Sequence, residues 1–245
     1  MGFRELGLPG HAAAPAAAAP ATRPVPTVAP PPPAAIAAAV DARRAAPAVI
    51  TASADDVAAV LAAQTKALEG CRKCKLCQER KTIVFGSGNP RAELVVIGEG
   101  PGADEDEQGL PFVGRAGELL TKMLASVQVT RDEVFITNTV MCRPPRNRNP
   151  EADELAACRP FLDAKLGAIA PKVVLTLGSV ATQAMLGTKE PIGKLRGRLH
   201  PFGDAVLVPT FHPAFLLRNP GPEYRRMAWD DLKLARREYD ARRTR

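Results

Sequence analysis

The 245-residue chain holds 33 Lys and Arg against 26 Asp and Glu, a formal charge of +7, with 24 Pro, 5 Cys, 8 Phe, 2 Tyr and 1 Trp. Outside an Ala/Pro tract that Pro interrupts, no uncharged apolar run is long enough to cross a bilayer as a helix, which excludes a membrane span. The first 62 residues carry four Arg and four acids, so the positive excess belongs to the remainder. It suits a polyanionic partner, whose counterions clustered Lys and Arg displace.

Residues 1–50 contain 10 Pro and 18 Ala, including the run Pro30, Pro31, Pro32 and Pro33. Such a segment populates extended polyproline conformations and buries little, so a disordered tail is expected at 1–50 and the folded domain at 51–245. Residues 1–10 lack the basic start and compact apolar run of a secretory signal, which points to a cytoplasmic protein. Ser53, followed by Asp55, Asp56 and the apolar Val57, Val60, Leu61 and Leu68, predicts a capped helix that stops at Gly70.

Four short runs, 94–97, 134–138, 173–177 and 205–208, are apolar nearly throughout, as strands covered on both faces are. Between them, 115–126, 150–169 and 179–186 have helical apolar spacing, and the basic stretch from Arg218 onward reads as a last helix. Alternation of strand and helix predicts a three-layer α/β/α sandwich around a central, mostly parallel four-stranded sheet. Sites in such folds collect at the carboxyl ends of the strands, here the loops after Ile97, Asn138, Leu177 and Thr210.

Cys71, Cys74 and Cys77 form a C-x2-C-x2-C run, and Cys142 and Cys158 stand sixteen positions apart much later. In a reducing compartment two pairs and a spare point to a centre with four thiolate ligands, and spacing alone leaves zinc and iron-sulfur open. After the first strand come Gly98, Glu99, Gly100, Pro101 and Gly102, a turn that lets backbone approach a ligand. Its glycine spacing fails the dinucleotide fingerprint, and the acidic run 104–107 would repel a pyrophosphate. Phe112, Asn138 and His212 lie on other loops at the same sheet edge, where a ring, an amide and an imidazole are able to read a planar base.

Four ordered motifs carry a family resemblance: G-E-G-P-G at 98–102, G-x-P-F-V-G-R-A-G at 109–117, T-N-x-V-x-C-R-P-P at 137–145 and H-P-A-F-L-L-R-N-P at 212–220. The sequence resembles the iron-sulfur family 4 uracil-DNA glycosylases over about residues 68–234. The resemblance implies removal of uracil from single- and double-stranded DNA, leaving an abasic site, by a monofunctional enzyme; a monomer with no membrane partner is the accompanying expectation. It implies a 4Fe-4S cluster on Cys71, Cys74, Cys142 and Cys158, with Cys77 left over. It implies that Phe112 stacks on the flipped uracil, that Asn138 pairs with its polar edge, and that Gly100, Pro101 and Glu105 line the pocket.

On the same resemblance, His212 hydrogen-bonds O2 of the departing uracil and Glu99 stabilises the sugar cation and aligns water. Arg143, Leu216 and Arg218 would contact DNA, with Leu216 and Leu217 wedging into the duplex. Leu110 and Met141 depart from the family pattern, standing where basic residues are common and so removing phosphate contacts. The competing functional readings are a non-catalytic iron-sulfur DNA-binding homologue associated with a polymerase and an iron-sulfur electron carrier.

Overall fold

The computed structural model describes residues 54–243. The Ala/Pro segment and the proposed cap at Ser53 lie outside them. Helix α1 (Ala54–Ala67) is followed by a 3₁₀ turn at Lys75–Gln78, then strands β1 (Ser87–Gly88) and β2 (Leu94–Gly98) and helices α2 (Ala103–Gln108) and α3 (Arg115–Ala125). Next come β3 (Val134–Asn138), α4 (Ala152–Ile169), β4 (Val173–Leu177), α5 (Gly178–Leu186), α6 (Ile192–Leu195), β5 (His200–Phe202) and β6 (Ala205–Thr210). Helices α7 (Pro213–Arg218) and α8 (Pro222–Arg242) complete the described chain.

The sheet has six strands in the order β1-β3-β2-β4-β6-β5, not four. Its central four are parallel, as expected; β1 and β5 are short antiparallel edge strands on β3 and β6. Two or three residues, one of them Pro201 or Gly88, offer no alternation to detect, and the outer position of these strands tolerates them.

Period-two alternation sends successive side chains of each central strand to opposite layers. Leu94 and Val96 of β2, Val134 and Ile136 of β3, and Leu175 and Leu177 of β4 pack with Leu120 and Leu124 of α3 and with Leu232 and Tyr239 of α8. Val95, Ile97, Phe135, Val174 and Leu207 face the other way, against Val57 and Leu61 of α1, Leu162 and Leu166 of α4, and Met185 of α5. Each such aliphatic side chain contributes about 1.5–3 kcal/mol of transfer free energy when fully buried. The three layers follow from this two-sided burial.

The helices start and stop where local chemistry dictates. In α3 the buried positions Gly117, Leu120, Met123 and Leu124 make a stripe at helical spacing. Helix α5 ends on Gly187 in the left-handed region, and α7 begins with His212 as its N-cap and Pro213 at its first turn. On α8, Asp231 is buried against Arg196, whose Nε and Nη2 donate to its two carboxylate oxygens at 2.9 and 2.7 Å. That fork fastens the last helix to the 187–199 connection.

Candidate active site

Register places the site. Gly98 ends β2 directly beside Asn138 at the end of β3, and beyond them Thr139 N–H donates to the Gly98 carbonyl and Val140 N–H to the Glu99 carbonyl. A Cβ on residue 98 would stand 2.4 Å from Asn138 Oδ1 and 2.5 Å from Phe112 Cζ. Glycine there is what allows the amide and the ring to crowd onto the same strand end.

Asn138 is 1% exposed, and its Oδ1 has no hydrogen-bond partner among the described residues. An orphaned buried acceptor costs about 1–3 kcal/mol. It lines a cavity of about 420 Å³ together with Glu99, Gly100, Pro101, Glu105, Phe112 and His212. Arg218 also reaches this cavity.

Phe112 adopts φ 53°, a left-handed conformation rare for an aromatic residue. Three groups hold it. The Glu105 carboxylate accepts from Val113 N–H and Gly114 N–H with one oxygen and from Gly102 N–H with the other, all at 3.0 Å. Arg131 donates to the Pro111 carbonyl. Gly117 lets α3 approach so closely that a Cβ there would stand 1.8 Å from the Phe112 carbonyl oxygen. The acidic run 104–107 lies in α2, where Glu105 and Asp106 point inward, Asp106 accepting from Lys81 N–H and Thr82 N–H, while Asp104 and Glu107 are exposed.

The ring of His212 lies 5.8 Å from that of Phe112, centroid to centroid. Ala214 N–H donates to His212 Nδ1 at 3.1 Å, so the proton of the neutral ring sits on Nε2. Burial, assisted by the nearby Arg218 cation, pulls the imidazole down to about 4, which keeps it neutral at physiological pH. Burial pushes the Glu99 carboxyl up from its ordinary value, with Arg218 opposing. The cavity thus offers a stacking ring, a fixed acceptor, a neutral N–H donor and a proton-accepting carboxylate around one volume.

One DNA contact expected from sequence comes out differently, the wedge at Leu216. Leu216 is 3% exposed and packs in the core, so it cannot wedge into a duplex, whereas Leu217 is 38% exposed. Arg143 does not line the cavity; its Nε donates to Asn147 Oδ1 at 2.7 Å, within a turn where Arg146 and Asn147 are both left-handed. Arg148, Asn147 and Asn149 of that turn do reach the cavity. Met141 is buried, so a departure from a basic residue there removes no solvent-facing charge.

Cys71, Cys74, Cys142 and Cys158 line a second, apolar-walled cavity with Leu68, Ile83 and Phe161. Cys77 does not reach it. The described residues include no group of three or more His, Cys, Asp or Glu arranged to hold a metal ion. A single tetrahedral zinc would need its four sulfurs within about 2.3 Å of one point, while a polynuclear cluster is bound by thiolates spread around a larger body. Four thiols lining one small cavity supply the sulfur donors that either centre needs. Burial raises the Cys142 thiol to about 11 and raises Cys74 and Cys158 in the same direction, so these groups hold protons until a cation replaces them. Arg80, which sequence reasoning missed, donates to Cys142 Sγ at 3.3 Å and to the Cys71 carbonyl at 2.7 Å.

The stretch from the Asn138 amide to Cys142 is short and enclosed: Thr139, Val140 and Met141 are each no more than 2% exposed, and Met141 O accepts from Val84 N–H. On the opposite face of β3 from Asn138, Lys165 Nζ is buried, donating to Thr137 Oγ1 at 2.7 Å and to the Phe85 carbonyl. Desolvation lowers this ammonium to about 7.

Residues 85–233 match the model of the uracil DNA glycosylase superfamily. The Type-4 uracil-DNA glycosylase of Saccharolobus solfataricus is 47% identical over 61% of this chain and 74% of its own length. Those of Thermotoga maritima and Sulfurisphaera tokodaii are 44% and 43% identical, each over 68% of this chain and over 88% and 79% of their own lengths. No helix among the described residues is long and apolar enough to cross a membrane.

Proposed function

Because the chain belongs to the uracil DNA glycosylase superfamily, we propose that the cavity at the ends of β2 and β3 is where it acts as a uracil-DNA glycosylase, hydrolysing the N-glycosidic bond to leave an abasic site. The observation that carries this is the unpartnered Asn138 Oδ1, buried at the wall of a cavity that also holds Phe112, His212 and Glu99. The acceptor takes the uracil N3–H while the amide N–H donates to O4. Cytosine presents an acceptor and a donor at those places, so the fixed amide meets it with the wrong pattern and leaves buried polar groups unpaired.

Phe112 stacks on the extruded base, whose unstacking costs a few kcal/mol and least where it is mispaired or unpaired. The C1′–N1 bond breaks with its electron pair passing to uracil, and the neutral His212 Nε2–H donates to O2 as charge gathers there. Glu99 faces the developing sugar cation, orients water toward C1′ and accepts its proton. Substrates are single- and double-stranded DNA, bound by a cytoplasmic monomer, with Arg218 and the 143–149 turn at the phosphates.

We assign Cys71, Cys74, Cys142 and Cys158 to a 4Fe-4S cluster, on the support of their common cavity. When bound it ties the segment before β1 to the chain leaving β3, and no chemical step passes through it. The retained His212, Asn138 and Glu99 disfavour a non-catalytic, polymerase-associated role and an electron carrier. The test is uracil release from single-stranded and G·U duplex oligonucleotides by the wild type and Asn138→Ala. Loss of the amide is expected to lower single-turnover release at least tenfold and to erode discrimination against cytosine; release unchanged by the substitution would refute the assignment.

A further inference from the structure

Beside the uracil cavity lies a second groove, of about 550 Å³, between α3, α7 and α8. Its walls are apolar: Leu119 and Met123 of α3, Leu217 of α7, and Trp229 and Leu232 of α8. Its rim carries Arg115, Lys122 and Arg225 against the single carboxylate of Glu118, and none of the three cations makes an ion pair among the described residues. Trp229 is 46% exposed. Lys233 Nζ stands 3.9 Å from the centre of the indole on one face, held there by Asp230 at 2.8 Å. Lys233 does not line the groove, which leaves the indole surface away from it for an occupant.

The groove adjoins the catalytic cavity across α7. Arg115 lines both, and α7 divides them, with Leu217 turned to the groove and its neighbour Arg218 to the cavity. A strand whose uridine enters the cavity therefore has its backbone led over the tip of α7 to a place where an aromatic platform is ringed by cations. That combination recurs where proteins hold unpaired bases, since every base has a π-face and every linkage a negative charge. A basic rim of this kind opposes a cationic peptide and is wasted on a neutral one.

We propose that this groove holds an unpaired nucleobase of the same strand that carries the flipped uridine, stacked on Trp229 with flanking phosphates on Arg115 and Arg225. The inference rests on the uracil-cavity reading above, and it makes the enzyme a reader of single-stranded DNA on both sides of α7.

Trp229 is the chain's one tryptophan, so its emission reports the groove directly. The experiment titrates the full chain with an end-labelled single-stranded oligonucleotide containing 2′-fluoro-deoxyuridine, following label anisotropy for binding and indole emission for stacking. Quenching with the same midpoint as the anisotropy is expected. Abasic spacers flanking the uridine should remove the quench while binding persists. Trp229→Ala should raise KM for single-stranded substrate about tenfold with kcat unchanged, and Trp229→Phe should largely restore it. Binding without quenching, or a wild-type KM in Trp229→Ala, would overturn the proposal and leave the groove to a protein partner. Failure of the underlying reading looks different: the wild type would release no uracil at all, and the quench would still decide the groove.

Discussion

Replacing His212 with Ala separates a neutral hydrogen-bond donor from an imidazolium acid. Nδ1 is committed to Ala214 N–H and burial holds the ring near 4, so on the proposed mechanism only Nε2–H is offered to the departing base at neutral pH. One preorganised donor at a site of developing charge is worth about 2.7–4 kcal/mol, so His212→Ala should slow single-turnover uracil release by about 10² to 10³-fold while DNA affinity changes little. The pH dependence gives a second, independent check. An imidazolium acid would lose activity as pH rises through about 6.5, the free imidazole value; a neutral donor leaves the His212 contribution level from there upward and loses it only as pH falls toward 4.

Stability has the matching sign. Between about 4 and about 6.5 the unfolded chain binds the proton and the folded chain does not, so stability rises with pH across that window and is lost as pH falls through it. A difference of about 2.5 pH units corresponds to up to about 3 kcal/mol. His212→Ala should flatten this part of a urea-denaturation profile. An unchanged single-turnover rate, or wild-type activity that declines above pH 6.5 in step with a directly measured His212 titration, would refute the reasoning.

Gly98→Ala drives a methyl into Asn138 Oδ1 and Phe112 Cζ, and should lower kcat/KM at least tenfold, since sub-ångström placement governs both contacts; wild-type kinetics would show that the strand end is not crowded. Cys158→Ser should lose iron and visible absorbance on purification whereas Cys77→Ser keeps both, and equal iron content in the two proteins would break the ligand assignment. Asp231→Ala strands the Arg196 guanidinium in a buried site and should cost about 3–5 kcal/mol in chemical denaturation without altering uracil release at low temperature; a loss under 1 kcal/mol would show the pair to be dispensable.

The four central strands and the helices between them were legible because two-sided burial leaves unbroken apolar runs, as at 94–97 and 173–177. Three of the strands run on to Gly98, Asn138 and Thr210, into the residues that build the site, which is why their chemistry collects at one edge. Helix α2 was illegible: Ala103–Gln108 is six residues, four of them acidic, and nothing in that composition distinguishes a solvated turn from a carboxylate that gathers three backbone amides. The left-handed Phe112 was hidden for a related reason, since its conformation is imposed by Glu105, Arg131 and Gly117 rather than by its own preference. Leu216 and Leu217 are identical in type, and only the packing of α7 assigns one to the core and the other to solvent. Arg80 and Lys165 carry no motif at all; their meaning comes from what the fold places beside them.

Asn138 and Cys142 are separated by three residues that have nowhere to move. Thr139 is pinned to Gly98 and Glu99, Val140 to Glu99 and Met141 to Val84, all out of solvent. A spacer of that kind transmits displacement as a rigid rod does, without the slack in which a flexible linker would dissipate it. On the proposed assignments, a displacement at Cys142 reaches the Asn138 amide through these three residues, so emptying the cysteine cavity and altering the amide should impair uracil release in the same way.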